Sequence, residues 1–310
     1  MAQNNLEELY EEYLRFALDL GRKGGDMIKA GQAKRFETFA TVETKTTATD
    51  FLTETDLAVE AMIHKAISET YPQHKFVGEE SHKGGKVELD DEWTWIIDPI
   101  DGTNNFIHGF PYVGCSIGLT HKKIPVVGVI CQPFLNELYW AKTGGGAFLN
   151  GIRLGARPQH LKDLSECSVC LQWGSGRKPE IMEPKYDNAK KLYAGREAGG
   201  KEVHAIRIIG SSTGALACLA SGQIDVVQDA LNQPWDVCAG MVIIQETGGF
   251  ICGSKQNFLE GKKETLGEIM LGRRYCFIRA VAPSETETSV EIQRRIATEM
   301  YETIEEWPRQ

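Results

Sequence analysis

The chain of 310 residues lacks several features that would place it in other classes of protein. No apolar run approaches the ~20 residues that a membrane-spanning helix needs. There is no Asn-X-Ser/Thr glycosylation site, and the N-terminus is acidic, without the basic and then apolar segments of a signal peptide. The histidines show no metal-ligand spacing such as His-Glu-X-X-His. These absences predict a protein without a membrane partner that is located in the cytoplasm.

An excess of positive charge is also absent. The chain carries 34 lysine and arginine residues against 43 aspartate and glutamate residues, for a net charge of −9 at pH 7. Non-specific binding to nucleic acid needs a basic surface, so the charge balance argues against a nucleic-acid partner. A hydrophobic content of 42% and a charged content of 25% are typical of a soluble globular protein.

The eight cysteines do not indicate a disulfide framework. Most of them lie in apolar segments that have the character of strands or helices, which predicts buried, reduced thiols. Cys167 and Cys170 have the spacing of a redox or zinc motif, but no second pair follows them. We therefore interpret both as ordinary strand residues.

The periodicity of apolar residues predicts a mixed α/β protein. Helices are predicted at 5–30, 56–71, 180–193, 212–221, 236–247 and 287–307. Strands are predicted at 93–97, 113–120, 125–131, 137–142, 166–171, 203–209, 224–228 and 274–281. The order of these elements predicts two closely packed halves, residues 1–160 and residues 161–310, that form one unit.

Several turns and loops are predicted between these elements. Gly31 is expected to end the first helix, and residues 32–52 are expected to form a mobile loop or loose hairpin. Asn150-Gly151 is a strong signal for a tight turn. Glu260–Arg274 is polar and is expected to be a surface insertion.

The most informative fragment is Trp93–Asn105, which reads WTWIIDPIDGTNN. A buried strand is predicted here, with Asp98 and Asp101 at its end. The proline between them turns the chain and leaves the Ile100 carbonyl without a strand partner. Two carboxylates and a carbonyl so close together suit an oxygen-ligated cation such as Mg²⁺, and the glycine and threonine that follow offer N–H groups to a phosphate. An acidic turn is the ordinary alternative.

Three other acidic segments could join this one. Asp56 opens a helix, Glu79 and Glu80 follow a short strand, and Asp236 opens a long apolar helix. Each has an ordinary explanation as well: Asp56 could only cap its helix together with Thr53, the two glutamates could form a solvated loop, and Asp236 could only complement a helix dipole.

Convergence of these acids would require a metal. Two unit charges 4 Å apart repel by about 4 kcal/mol at an effective dielectric near 20, and a phosphate monoester is itself close to a dianion. A cluster of carboxylates could therefore bind a phosphate only if divalent cations make the electrostatic potential at the site positive. The sequence predicts a divalent metal site on this interpretation.

The DPIDGT segment with its leading WII, together with Trp235-Asp236 at the start of a helix that ends in Gly-Gly, closely resembles the motifs of the inositol monophosphatase family. Its members are Mg²⁺-dependent, lithium-sensitive phosphatases. The resemblance covers about Lys45 to Gly249. It implies the layered αβαβα sandwich of the inositol monophosphatase and fructose-1,6-bisphosphatase type, two or three Mg²⁺ ions per site, and a homodimer.

The resemblance also implies roles for individual residues. The implied metal ligands are Glu79, Asp98, the carbonyl of Ile100, Asp101 and Asp236. The implied catalytic residues are Glu79, Thr103 and Asp56. The implied substrate contacts are Glu79, Asp101, Gly102, Thr103, Gly210, Ser211, Ser212, Asp229 and Asp236. In this scheme Asp98 is shared by two ions, Thr103 and Asp56 orient the attacking water, and Lys45 matches a lysine on a mobile loop near the site.

The function implied is hydrolysis of myo-inositol monophosphate to inositol and phosphate by attack of a water that two metal ions activate. Asp229 departs from this pattern, because inositol-specific members carry glutamate there. The aspartate side chain has one methylene group fewer, so its carboxylate reaches about 1.5 Å less far. Another small sugar or polyol phosphate is therefore an open alternative. A catalytically silent binding relative is a further one, although the five acidic positions and Thr103 are intact.

Overall fold

The computed structural model describes residues 2–38, 43–44, 51–155 and 158–306. Its first half is rich in consecutive strands, and its second half mixes helices and strands. The helices of these segments are α1 (Ala2–Thr38), α2 (Glu54–Thr70), α3 (Thr103–His108), α4 (Pro179–Tyr193), α5 (Ser212–Ala220), α6 (Pro234–Thr247), α7 (Lys255–Leu259), α8 (Leu266–Gly272) and α9 (Ser289–Thr303). The strands are β1 (Glu43–Thr44), β2 (Phe51–Leu52), β3 (Lys75–Gly78), β4 (Thr94–Asp101), β5 (Gly114–His121), β6 (Ile124–Gln132), β7 (Glu137–Lys142), β8 (Gly146–Leu149), β9 (Ile152–Arg153), β10 (Ser168–Leu171), β11 (Ala205–Arg207), β12 (Val226–Ala230), β13 (Phe250–Cys252) and β14 (Arg274–Ile278).

Two sheets carry the architecture. The first has seven strands in the order β3-β4-β5-β6-β7-β8-β9, in which β3 and β4 are parallel and the other pairs are antiparallel. The second has five strands in the order β11-β10-β12-β14-β13 and mixes both directions. A short antiparallel pair, β1 and β2, lies apart from both. The predicted mixed α/β class is confirmed.

Helices cover the outer face of each sheet. On the seven-stranded sheet, Leu14 of α1 and Ile63 of α2 share a buried core with Trp95 of β4. On the five-stranded sheet, Leu192 of α4 and Ile296 of α9 belong to the core that covers its outer face. Both cores consist of apolar side chains removed from water, the main stabilising contribution to folding.

Helices α5 and α6 form the central layer between the sheets. Their core joins Met241 of α6 to Ile96 of the first sheet and Phe277 of the second. The approach of α6 to β6 depends on Gly128, because a Cβ atom at this position would collide with the backbone of Ala239. The five layers follow the order αβαβα that the resemblance implied, while the division into halves at residue 160 stays a prediction.

Helix α1 does not end at Gly31, as the sequence predicted, but continues to Thr38. The absence of a side chain at Gly31 gives room to Thr55 of α2, so this glycine serves close packing. The amide of Gln32 donates to the Phe106 carbonyl at 2.8 Å and ties the end of the helix to α3. Packing against neighbours has overridden the local stop signal.

The prediction of a surface insertion at Glu260–Arg274 is wrong for its second half, although residues 260–263 are exposed as expected. Residues 266–272 form α8, in which Met270 is fully buried and Ile269 nearly so. The Tyr275 hydroxyl donates to the Met270 carbonyl at 2.8 Å. A segment of mixed composition has joined the central core because α6 offers it an apolar surface.

Other predictions are confirmed. The helices predicted at 56–71, 180–193, 212–221 and 236–247 correspond to α2, α4, α5 and α6 within two residues at each end. Asn150 and Gly151 have positive φ angles in the tight turn between β8 and β9. All eight cysteines are buried and free. Strands β8, β9 and β13 and the short helices α3 and α7 were not predicted. Among the described segments, no helix is both long enough and apolar enough to span a membrane.

Candidate active site

Strands β3 and β4 bring two of the predicted ligands side by side. The strands run parallel with Gly78 opposite Ile97, and the next residue on each is an acid, Glu79 and Asp98. The Glu79 N–H donates to the Ile97 carbonyl at 3.1 Å, and its carboxyl lies within hydrogen-bonding reach of the Asp98 carboxyl. Asp98 is only 1% exposed, so its carboxylate has lost most of its hydration.

A β-bulge allows Asp98 and Asp101 to face the same site. Asp98 pairs with Ser116 and Asp101 with Gly114, so two residues of β4 lie opposite one residue of β5. Side chains three residues apart on a regular strand would point to opposite faces of the sheet. The predicted end of this strand at Ile97 is wrong, since β4 continues to Asp101. The proline lies in the bulge, where its missing N–H is tolerated.

Helix α6 supplies the third carboxylate. Asp236 lies in its first turn, where its Oδ2 accepts the Gln233 N–H at 2.5 Å. The Ser116 hydroxyl donates to a carbonyl of the same turn at 3.1 Å and ties α6 to β5. As a result, one oxygen atom from each of Asp98, Asp101 and Asp236 lies within 4.8 Å of the other two.

This set of donors fits a hard divalent cation. Within the described segments, the buried Oδ1 atom of Asp98 has no hydrogen-bond partner, and carboxylate oxygens are the ligands that such cations prefer. Burial raises the pKa of Asp98 well above its usual range, and the charges of Glu79 and Asp101 raise it further. Burial also raises the pKa of Asp236, with further contributions from Asp101 and Glu79. A cation would relieve this repulsion, so the cluster could hold a metal ion.

The Thr103 hydroxyl lies between two acceptors, the Oδ1 atom of Asp56 at 3.3 Å and the Ile100 carbonyl at 3.1 Å. The other carboxylate oxygen of Asp56 accepts the Thr53 N–H at 2.9 Å and closes the capping box of α2. Asp56 is fully buried. It is therefore both a helix-capping acid and the carboxylate beside Thr103, so the two interpretations of this residue are compatible.

Asp101 binds the start of helix α5. Its Oδ2 atom accepts the Ser211 hydroxyl at 2.5 Å and the Thr213 N–H at 2.7 Å, and its Oδ1 atom accepts the Ser212 N–H at 3.2 Å. Burial raises the pKa of Asp101, and these hydrogen bonds lower it in part. They hold the predicted substrate segment Gly210–Ser212 next to the acidic cluster. The part played by Thr213 was missed, although a Ser-Ser-Thr run before an apolar helix is a recognisable N-cap signal.

Gly102 precedes α3 in a left-handed conformation, with φ of 83°. A Cβ atom here would lie 2.9 Å from the Tyr112 carbonyl oxygen and 3.1 Å from Ser211 Cβ. Only glycine fits this position without strain. N–H groups in the first turn of a helix have no partners within it, so the predicted phosphate contacts at Gly102 and Thr103 stay compatible with the structure.

A cavity of about 780 Å³ opens beside the acidic cluster. Glu79 and Asp236 belong to its lining, together with Lys185, Asn232 and Arg273. None of these last three residues was predicted from the sequence. Lys185 and Arg273 lie far from the motifs along the chain, whereas Asn232 stands between the predicted site residues at 229 and 236 and could have been found from that position.

Asp229 is 2% exposed and is held by its neighbours. Its Oδ2 atom accepts the Asn232 side-chain amide at 2.6 Å and lies 3.4 Å from the Ser212 hydroxyl. Burial raises its pKa to about 8. Of the predicted site residues that the structure describes, Glu79 and Asp236 line the cavity, and hydrogen bonds or short distances link Asp98, Asp101, Ser212 and Asp229 to them or to one another. Lys45 lies outside the described residues.

The sequence profile of the inositol monophosphatase family matches residues 9–299. The chain belongs to this family. Protein qutG of Emericella nidulans is 36% identical in sequence, over 97% of this chain and 94% of that protein. Quinic acid degradation cluster protein x of Neurospora crassa is 33% identical, over 96% of this chain and 94% of that protein. Inositol monophosphatase 2 of Homo sapiens is 39% identical, over 78% of this chain and 80% of that protein.

A solved structure of the inositol monophosphatase family agrees with the fold. The Thermotoga maritima IMPase aligns with a TM-score of 0.68 at 29% sequence identity, over 93% of this chain and 99% of that chain. The αβαβα architecture expected for this family is therefore confirmed.

The buried carboxyl of Asp229 predicts a pH-dependent stability in this family member. Because its folded-state pKa, about 8, exceeds the value of 3.8 for a free aspartate, its contribution to stability is present at low pH and is lost as the pH rises toward 8. Asp229→Asn removes this titration and keeps the shape. In excess chelator, we expect the melting temperature of the variant minus that of the wild type to increase by at least about 3 °C from pH 5 to pH 8. A constant difference in a thermal-denaturation series would contradict this.

Proposed function

We propose that the protein is a Mg²⁺-dependent phosphomonoesterase that hydrolyses myo-inositol monophosphate to inositol and phosphate in the cytoplasm. One arrangement supports this proposal above all. Three carboxylates, those of the buried Asp98 and Asp101 and the half-buried Asp236, have oxygen atoms within 4.8 Å of one another, and the hydroxyl–carboxylate pair of Thr103 and Asp56 accompanies them. Membership of a phosphatase family that acts on small phosphorylated compounds supports the same reaction class.

The residues proposed to hold the metal ions are Glu79, Asp98, Ile100 through its carbonyl, Asp101 and Asp236. Bound Mg²⁺ would neutralise the carboxylates and the phosphate dianion and would lower the pKa of water. The proposed substrate contacts in the second half of the chain are Gly210, Ser211, Ser212 and Asp229.

The chain's own groups would direct a water at the phosphorus atom. The Thr103 hydroxyl, held by Asp56 and the Ile100 carbonyl, would orient the water, and Glu79 would accept its proton. The bond between phosphorus and the ester oxygen would break, the water oxygen would stay on the phosphate, and the inositol oxygen would take up a proton and leave as an alcohol. The N–H groups of Gly102 and Thr103 would bind the phosphate oxygens.

Another small sugar or polyol phosphate is the second candidate substrate. One relative is named for a quinic acid degradation cluster, and Asp229, the residue that departs from the inositol pattern, is already bonded to Asn232. A catalytically silent relative would be expected to have lost a metal ligand, and the acidic cluster is complete. A panel of phosphorylated polyols, sugars and nucleotides, assayed for phosphate release, would rank these candidates.

Hydrolysis should require a divalent metal and the shared carboxylate. We expect phosphate release from myo-inositol 1-phosphate with Mg²⁺ and none after dialysis into excess chelator. Asp98→Asn should lower kcat by at least ~10³, as the loss of a preorganised electrostatic group does. Asp90→Asn, which removes an exposed acid paired with Lys75, is the matched control. Activity that survives chelation, or Asp98→Asn retaining more than about a tenth of the rate, would overturn this assignment.

Lithium should inhibit the enzyme in the millimolar range. A small monovalent ion can occupy the all-oxygen site of Asp98, Asp101 and Asp236 but supplies half the charge of Mg²⁺, so it should hold phosphate without supporting turnover. Inhibition should therefore be stronger when product phosphate is present. The measurement is the initial rate against LiCl, with NaCl at matched concentrations. Superimposable curves for the two salts would show that the proposal of lithium sensitivity is wrong.

The protein is proposed to be a homodimer. Strand β11 lies at the edge of the five-stranded sheet, and the side chains of Tyr193 and Ile208 beside it are 64% and 50% exposed. Light scattering should give twice the chain mass of 34.5 kDa. Tyr193→Asp should shift the mass toward that of the monomer, whereas Ile152→Asp, at an even more exposed site on the other sheet, should not. A monomeric wild type would refute the proposal.

A further inference from the structure

Asp229, which the family resemblance makes a substrate contact, has its Oδ2 atom taken up by protein groups, while its Oδ1 atom is buried without a hydrogen-bond partner among the described residues. Its Oδ2 atom accepts the Asn232 amide at 2.6 Å and lies 3.4 Å from the Ser212 hydroxyl. The Asn232 amide also bonds the Ser212 hydroxyl. A substrate hydroxyl that sought this oxygen would have to displace the asparagine side chain.

Asn232 stands at the wall of the cavity. It lines the same space as Glu79 and Asp236, whereas Asp229 is 2% exposed. The amide of Asn232 is oriented with its Nδ2 atom facing Asp229, where it donates to the Oδ2 atom. In the described part of the chain no group donates to the Oδ1 atom of Asn232, which leaves a neutral acceptor for a hydroxyl donor in the cavity.

The backbone around Asn232 is fixed by the segment that follows α8. The Arg273 side chain donates to the Asn232 carbonyl at 3.1 Å and to the Leu231 carbonyl, and the Tyr275 hydroxyl lies 3.3 Å from the Asn232 carbonyl. In return, the Leu231 N–H donates to the Arg273 carbonyl at 2.8 Å. Leu231 has a φ of 75°, a conformation that a bulky residue adopts only where its surroundings hold it.

We propose that Asn232 is the specificity-determining residue for the alcohol part of the substrate, and that Asp229 is a positioning residue that acts through it. This rests on the proposed phosphatase function. The side chain offered to the alcohol is then a neutral amide held by the buried carboxyl group of Asp229. The substrate class that suits it is a phosphate monoester whose alcohol carries at least one further hydroxyl group as a hydrogen-bond donor.

Two phosphate esters separate this role from the metal chemistry. Myo-inositol 1-phosphate carries ring hydroxyls, and p-nitrophenyl phosphate carries none. In Asn232→Ala we expect the ratio of kcat/KM for the first to that for the second to fall about tenfold, mainly through KM, because one ordinary hydrogen bond to the substrate is lost. Asp229→Asn keeps an acceptor for the Asn232 amide, so its ratio should fall less than that of Asn232→Ala. The control is Asn257→Ala, which breaks an asparagine–carboxylate bond of 2.7 Å to Glu264 and should keep the wild-type ratio.

The order of the two losses decides the assignment. If Asp229 contacts the substrate itself, Asp229→Asn will cost more than Asn232→Ala, and the proposal is wrong. The proposal is equally wrong if Asn232→Ala lowers kcat/KM for both esters by the same factor, because a disordered loop would have that effect. The melting temperatures of all variants show whether the loop has become disordered. If the wild type hydrolyses p-nitrophenyl phosphate but not inositol phosphate, the hydroxylated ester of the panel that it hydrolyses fastest takes the place of inositol phosphate in the same ratio. Failure on every ester with Mg²⁺ would overturn the phosphatase function and this assignment with it.

Discussion

Repulsion among buried carboxylates is the constraint on which this site depends. Asp98 and Asp101 are 1% and 6% exposed, and their oxygens lie within 4.8 Å of each other and of Asp236. At such distances two unit charges repel by about 4 kcal/mol even at an effective dielectric of 20. Protonation and cation binding are the two ways to relieve this repulsion. The raised pKa values express the first, and an oxygen-ligated metal ion would supply the second.

The helices of the central layer are placed where they reduce this cost. Asp101 accepts hydrogen bonds from the first residues of α5, and Asp236 lies in the first turn of α6. The N-terminus of a helix carries partial positive charge and unpaired N–H groups, which favour an adjacent carboxylate. Because α6 packs against both sheets, the position of Asp236 is fixed by the same cores that fix β4. Packing and electrostatics are therefore coupled in this layer.

The opposite wall of the cavity is built from other parts of the chain. Asn232 follows β12, and Arg273 lies between α8 and β14, so its hydrogen bonds to the 231–232 backbone connect the wall to the buried α8. None of these residues belongs to the acidic cluster. The residues proposed to determine alcohol specificity can therefore vary while the residues proposed to act on the phosphate stay the same. This is consistent with the names of two relatives, which refer to quinic acid and to inositol monophosphate.

The sequence by itself determined the features that depend on neighbours along the chain. The capping box of Thr53 and Asp56 starts α2, the WIIDPIDGT run gives a strand with two acids near its end, and the Trp235-Asp236 pair opens α6. Each is a local preference of backbone and side chain, so it can be read without knowing the rest of the fold. The family resemblance rests on these same local motifs.

Only the tertiary structure decided which segments meet. The bulge that turns Asp98 and Asp101 to one side exists through pairing with β5. Gly31 lies within α1 because Thr55 packs against it, and residues 266–272 are buried because α6 offers them an apolar face. The bond between Asn232 and Asp229 depends on a backbone that Arg273 holds from 41 residues away. Spacing along the chain sets local conformation, whereas contacts between distant segments follow from the packing of the whole molecule, which no single pattern specifies.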